Sequence, residues 1–172
     1  MNGRRAKVAF IGTHGVGKTT LCYGLAARLK RRDVALDIVH EVARRCPLPI
    51  NEATTATAQR WILLTQIAEE LVACARYPVV LCDRSVLDNY VYLLVAAGPD
   101  REFEPLVAGW LPSYDLLVYV PILDTPSPDG VRADSASSSA ARLPSDIFDV
   151  SIAEAGSCTD MLRSYRGTGP RR

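Results

Sequence analysis

Nothing in the chain resembles a membrane span or a secretion signal. The basic start Met-Asn-Gly-Arg-Arg-Ala-Lys is followed by an apolar run of only four or five residues, which stops at a glycine-rich loop and is too short for a signal peptide or a membrane span. The five cysteines (Cys22, Cys46, Cys74, Cys82 and Cys158) form no C-x-x-C pair and no Cys/His cluster with metal-ligand spacing. That argues against a structural zinc site and a disulfide scaffold, and for small buried thiols in a reducing cytoplasm. Charge of one sign is also missing: 20 basic and 19 acidic residues leave a formal net charge of +1. Without a broad cationic surface, nucleic acid is not expected as the main partner. What remains is an ordinary globular composition, 48% hydrophobic and 23% charged over 172 residues, enough for one core.

Against that background one segment stands out. Gly12-Thr13-His14-Gly15-Val16-Gly17-Lys18-Thr19-Thr20 follows the apolar run Val8-Ala9-Phe10-Ile11 and precedes an amphipathic segment. A G-x-x-x-x-G-K-[ST] loop needs that context, because a strand must deliver the loop and a helix N-terminus must aim N–H groups at one anion. The glycines let the backbone approach a phosphate, Lys18 can reach terminal phosphate oxygens, and Thr19 can ligate Mg²⁺. The whole stretch Gly12 to Thr20 is therefore the expected cofactor-binding loop, for ATP with GTP as second choice. His14 fills a variable loop position and receives no catalytic role.

Strand and helix signals alternate beyond the loop. Leu21, Leu25 and Leu29 recur every four residues and predict a helix over 18–31 with a basic end. The β-branched stretch from Val34 to His40 predicts a strand, and Pro47 to Asn51 a loop. Over 53–76, Trp61, Leu64, Ala68, Leu71, Val72 and Ala75 fall at helical spacing, with Pro78 as terminator. Val79-Val80-Leu81-Cys82 reads as a short strand covered on both faces. Ser85 and Asp88 then form a helix-start signal, leading into Leu87, Tyr90, Val91, Leu94 and Val95 up to Gly98-Pro99. A shorter helix is expected over 102–110 and a fourth strand over 116–120. This order implies a three-layer α/β fold with an open, mainly parallel sheet, whose ligand crevice lies at the carboxyl ends of the strands.

Three of those strand ends carry suitable chemistry. Asp83 can hold Mg²⁺ against phosphates, or can simply cap the helix at Ser85. Arg84 offers a bidentate donor for phosphate, with a surface ion pair as the alternative. Glu41 can accept a proton from a substrate hydroxyl, or can pair with Arg44 or Arg45. Trp61 and Tyr92 could stack on a base, although aromatics at helical spacing more often belong to a core.

Taken together, the glycine loop, His40-Glu41-Val42-Ala43-Arg44, Gln59-Arg60-Trp61-Ile62, Gln66-Ile67-Ala68-Glu69, Asp83-Arg84-Ser85-Val86-Leu87-Asp88-Asn89-Tyr90 and Asp129-Gly130-Val131-Arg132 resemble the small P-loop ATPases known as AAA domain proteins. That group is similar to ribosylnicotinamide kinases and, more distantly, to deoxynucleoside and thymidylate kinases. The resemblance covers residues 6–133 and implies a P-loop NTPase fold. It also implies roles: Glu41 as base for the substrate hydroxyl, Asp83 and Arg84 serving metal and phosphates, Gln66 or Gln59 against the substrate, and Arg132 on a lid over the transferring phosphate. Lys18 joins Glu41, Asp83, Arg84 and Arg132 as the catalytic set, with Thr19 and Asp83 at the metal.

The resemblance fades after Arg132. Residues 133–141 are almost entirely Ser, Ala and Asp, where related kinases place a lid helix and a fifth strand. The expected organisation is thus a kinase-like core over 1–132 and an irregular tail over 133–172. The expected activity is transfer of the γ-phosphoryl group of Mg-ATP to a nucleoside-like small molecule. The alternative is a nucleotide-dependent switch or accessory ATPase acting on a protein partner; a homodimer is compatible with either.

Overall fold

A computed structural model describes residues 5–50 and 53–121. The proposed tail and Arg132 lie outside the described residues. Four strands, β1 (Ala6–Ile11), β2 (Leu36–Val39), β3 (Val79–Cys82) and β4 (Leu116–Tyr119), form one sheet in the order β2-β3-β1-β4, with every pairing parallel. The helices α1 (Lys18–Lys30), α2 (Ala56–Arg76), α3 (Val86–Ala97) and α4 (Phe103–Trp110) make the crossovers. This is the parallel α/β sheet expected from the alternation of segments, in the P-loop NTPase arrangement that the resemblance implies.

Residue alternation along the strands separates the two faces. Phe10 of β1 and Leu81 of β3 join Cys22, Ala26, Leu36 and Val120 under α1. Their neighbours Ala9, Val80 and Cys82 point the other way, into a larger core with Leu63 and Ala73 of α2, Tyr90 and Leu93 of α3, and Val107 of α4. A parallel strand buried on both faces has to be apolar at successive positions, which is why Val79 to Cys82 contains no polar side chain.

Local chemistry sets the helix ends. Thr55 caps α2 by accepting from the Ala58 amide at 3.2 Å. Ser85 and Asp88 form a reciprocal capping box at the start of α3, and Gly98 ends that helix at φ 78°. Two short 3₁₀ turns, Val42–Arg45 and Leu111–Ser113, have no periodic signal in so few residues.

The main departure from expectation concerns α2. The stripe containing Leu64, Leu71 and Val72 faces outward, with these three residues 48%, 56% and 50% exposed, while Ala58, Gln59, Ile62, Leu63, Gln66, Glu70 and Ala73 face the core. Three polar residues on the inner face make it the less conspicuous one in the sequence. They are tolerated there because Gln59, Gln66 and Glu70 all have hydrogen-bond partners.

Candidate active site

The order β2-β3-β1-β4 puts the end of β1 beside the end of β3, and the connections leave β1 in one direction and cross over it in the other. Such a reversal opens a crevice at the carboxyl ends of the strands. The glycine loop enters that crevice from β1. Gly12 has φ 137°, and a Cβ there would stand 2.6 Å from the Val120 carbonyl oxygen, so no larger residue fits the turn. Gly17, at φ 90°, leads into α1, whose first turn has neither a side-chain cap nor an acidic residue. Its N–H groups are thus disposed to receive an anion. Lys18 is buried and donates to the carbonyls of Gly12, at 2.8 Å, and Thr13. His14 Nδ1 lies 3.5 Å from the Tyr92 hydroxyl.

The Asp83-Arg84-Ser85 turn enters from β3. Thr19 Oγ1 donates to Asp83 Oδ2 at 2.6 Å, placing a hydroxyl and a carboxylate oxygen side by side. These are hard oxygen donors of the kind Mg²⁺ prefers, and Mg²⁺ generally takes only one or two protein ligands alongside phosphate and water.

Arg84 adopts φ 119°, outside the regions comfortable for a side-chain-bearing residue. Its Nε donates to Glu41 Oε1 at 2.9 Å, and Arg44 Nε donates to the other oxygen of Glu41 at 2.7 Å. The Tyr92 ring lies 5.2 Å below the Arg84 guanidinium. Burial works to lower the Arg84 pKa, but Tyr92, Glu41 and Asp88 outweigh it and hold the guanidinium above its ordinary value. The side chain is a fixed positive charge.

A buried network supports the turn from beneath. Gln66 Nε2 donates to the Arg84 carbonyl at 3.3 Å and to Glu70 Oε1 at 2.9 Å. Tyr114 accepts from the Val86 amide at 3.0 Å and donates to Glu70 at 2.6 Å. Lys7 and Trp110 complete the ring of donors around the Glu70 carboxylate. Burial, and then the Glu70 charge, push the Tyr114 pKa well up, so the phenol stays protonated as a donor. Gln66 Oε1 and Asn89 Nδ2 are buried without a hydrogen-bond partner.

The expected residues therefore fall into three groups. Contacts join Thr19 to Asp83 and Glu41 to Arg84, and the backbone joins Asp83 to Arg84. Gln66 is fully buried and meets the main chain of Arg84, whereas Gln59 donates to Thr54 Oγ1 at 2.8 Å near the start of α2. Arg132 is outside the described residues. Of the readings left open in the sequence, Glu41 makes the ion pair with Arg44, and it pairs with Arg84 as well. Of the two readings of Tyr92, base stacking or core, helical spacing cannot choose, and the structure sets its ring against Arg84 and its hydroxyl near His14; the bond from Gly12 to Asp88 has no local signal beyond the cap. Cys22 is no candidate nucleophile: burial, and then Asp83, push its thiol up to about 12.

The fold and this loop define a P-loop protein. The chain belongs to the AAA domain family, which matches residues 7–145. No curated protein sequence matches it. Among solved structures it is similar to deoxyadenosine kinase from M. mycoides with products dCMP and a flexible dCDP bound, at 19% identity and a TM-score of 0.48 over 68% of this chain. The same kinase with dATP bound is 17% identical, with a TM-score of 0.43 over 69% of this chain. The chain spans 65% and 66% of the length of those two structures.

Proposed function

We propose that the chain is a phosphotransferase that moves the γ-phosphoryl group of Mg-ATP to a hydroxyl of a nucleoside-like small molecule. The observation that carries this reading is the Glu41–Arg84 pair at 2.9 Å, beside a glycine loop whose Thr19 meets Asp83 at 2.6 Å. Hydrolysis and transfer both need a group that orients the attacking oxygen, of water in one case and of an acceptor hydroxyl in the other. A carboxylate placed at the end of the neighbouring strand and oriented by two guanidiniums suits the acceptor hydroxyl.

In this mechanism the loop amides beyond Gly12, from Thr13 to Thr20, and Lys18 bind the phosphates, Gly12 forming the root of the loop with its own amide on Asp88, and Thr19 and Asp83 would hold the magnesium ion. Mg²⁺ supplies charge neutralisation at the phosphate oxygens when bound. Arg84 adds a fixed positive charge toward the transferring group, the role also expected of Arg132. Glu41 accepts the proton of the acceptor hydroxyl, while Gln66 acts from beneath, holding the Arg84 main chain. Positioning and electrostatics then supply most of the rate enhancement, as in phosphoryl transfer generally.

The test is a mass-spectrometric screen of nucleosides, nucleotides and related small alcohols with Mg-ATP, followed by Glu41→Gln. The expected result is a phosphorylated acceptor whose formation falls by about 100-fold or more in the variant, while ATP binding stays within a few-fold. Tight Mg-ATP binding with no acceptor phosphorylated across the panel overturns the proposal. ATP hydrolysis stimulated by a protein partner would then identify the switch class instead.

A further inference from the structure

A capping box needs one carboxylate oxygen on the backbone N–H of the cap residue. Asp88 does this and more. Its Oδ2 accepts from the Ser85 amide at 2.9 Å and from the Ser85 hydroxyl at 2.8 Å, while the Ser85 hydroxyl accepts from the Asp88 amide at 3.2 Å. Its Oδ1 turns away from α3 and accepts from the amide of Gly12, 76 residues earlier, at 3.0 Å. The side chain is fully buried. Gly12 is also confined from the opposite strand, by the close approach of the Val120 carbonyl. One carboxylate therefore ties the first residue of the phosphate loop to the turn that carries Asp83 and Arg84.

We propose that Asp88 is a positioning residue that latches the phosphate loop to the Asp83-Arg84-Ser85 turn and so sets the affinity for nucleotide. The two halves of the site arrive on different strands, and their cooperation depends on their separation. Thr19–Asp83 ties them at the metal end, and Asp88–Gly12 ties them at the root of the loop. Cutting the second tie lets the loop move against Asp83 and Arg84 without altering any group that touches a phosphate. This inference rests on the proposed nucleotide site, and its test separates the two.

The probe is the fluorescent analogue mant-ATP with Mg²⁺, titrated into the full chain alongside thermal melting. Asp88→Asn is nearly isosteric but has one acceptor oxygen. When that oxygen keeps the Ser85 cap, its NH₂ meets the Gly12 N–H, donor against donor, and the latch is lost. The expected result is about tenfold weaker mant-ATP binding or more, the size of one hydrogen bond to a charged group, in a protein that remains folded. Ser85→Ala removes the cap hydroxyl and leaves Asp88 on Gly12; it should lower the melting temperature yet keep affinity within about twofold. Equal affinity in wild type and Asp88→Asn, or an equal loss in both variants, overturns the latch and leaves Asp88 as a cap.

Amide hydrogen exchange of the wild type provides an independent reading that needs no variant to fold. Gly12 should be as protected as Ser85 and far more protected than Gly15. Exchange of Gly12 as fast as that of Gly15 overturns the latch. Failure of the wild type to bind mant-ATP would overturn the nucleotide site itself, and Gly12 exchange would still decide the latch.

Discussion

Arg84 meets Glu41 at 2.9 Å while its backbone is held at φ 119°. The ion pair and the unfavourable backbone angle belong together. Gln66 binds the Arg84 carbonyl, Tyr114 binds the next amide but one, and the guanidinium is drawn to a carboxylate just beyond the end of the neighbouring strand β2. Strain of this kind persists only where the surroundings over-determine the residue, and it costs on the order of 1–3 kcal/mol.

A comparison of two truncations at this position tests that account. Arg84→Ala and Arg84→Gly both remove the guanidinium and leave Glu41 with Arg44. They differ in that only glycine accepts φ 119° without penalty. Glycine ordinarily costs stability relative to alanine, so the expected reversal is diagnostic: urea denaturation should find Arg84→Gly more stable than Arg84→Ala by about 1 kcal/mol. An alanine variant that is the more stable of the two would show that the turn relaxes to an ordinary conformation.

The orientation of α2 makes a second prediction. Leu71 is 56% exposed and Leu63 fully buried, although both lie on the same helix. Leu71→Gln should change unfolding free energy by no more than about 0.5 kcal/mol, and Leu63→Ala should cost about 2–5 kcal/mol. Chemical denaturation of the two variants distinguishes the faces, and a large loss in Leu71→Gln would mean that this face is covered.

Those same two leucines show where the sequence was legible and where it was not. Four strands, their parallel sense and the loop could be read because each rests on a local signal: short apolar or β-branched runs alternating with helical segments, the glycine spacing, and Ser85 three residues before Asp88. The inward face of α2 was not legible, because Gln66 and Glu70 are buried only by virtue of Arg84, Tyr114, Lys7 and Trp110, all distant in sequence. The same holds for the site. Glu41, Asp83 and Arg84 could be found at strand ends. The tie from Asp88 to Gly12 depends on how β1 and β3 pair, which no local pattern encodes.

A pH dependence follows from Asp100. Arg60 donates to it through Nε at 3.0 Å and Nη2 at 2.7 Å, and its second oxygen accepts from the amides of Glu102 and Phe103. The hydrogen bonds from Arg60 come first in lowering its pKa below the usual aspartate value, against the opposing effect of burial, with the two amides adding to the lowering. A carboxylate with a depressed folded pKa contributes stability above its unfolded value of about 3.9, and loses it as pH falls through the folded value. Wild type should therefore lose its advantage over Asp100→Asn below about pH 4. Paired urea titrations at neutral and acid pH measure the difference, and a constant gap between the two proteins would rule out this contribution.

The Lys7–Glu70 pair makes the largest stability prediction. Their charged atoms are 2.9 Å apart, with side chains 7% and 0% exposed, and Lys7 also lies over the rings of Trp110 and Tyr114 at 4.6 and 4.4 Å. Breaking a buried pair leaves an uncompensated charge, so Glu70→Leu alone should cost about 3–5 kcal/mol. It would also deprive Gln66 and Tyr114 of their common acceptor, freeing both to shift away from Arg84 and Val86. Replacing both members, Lys7→Met with Glu70→Leu, removes the stranded charge and should recover much of the loss. Recovery of stability without recovery of nucleotide affinity would show that Glu70 also organises the Arg84 turn. Full recovery of both would limit the carboxylate to balancing Lys7. A double-mutant cycle followed by denaturation and by mant-ATP titration gives both readings, and additive single-variant losses would mean that the pair is not coupled.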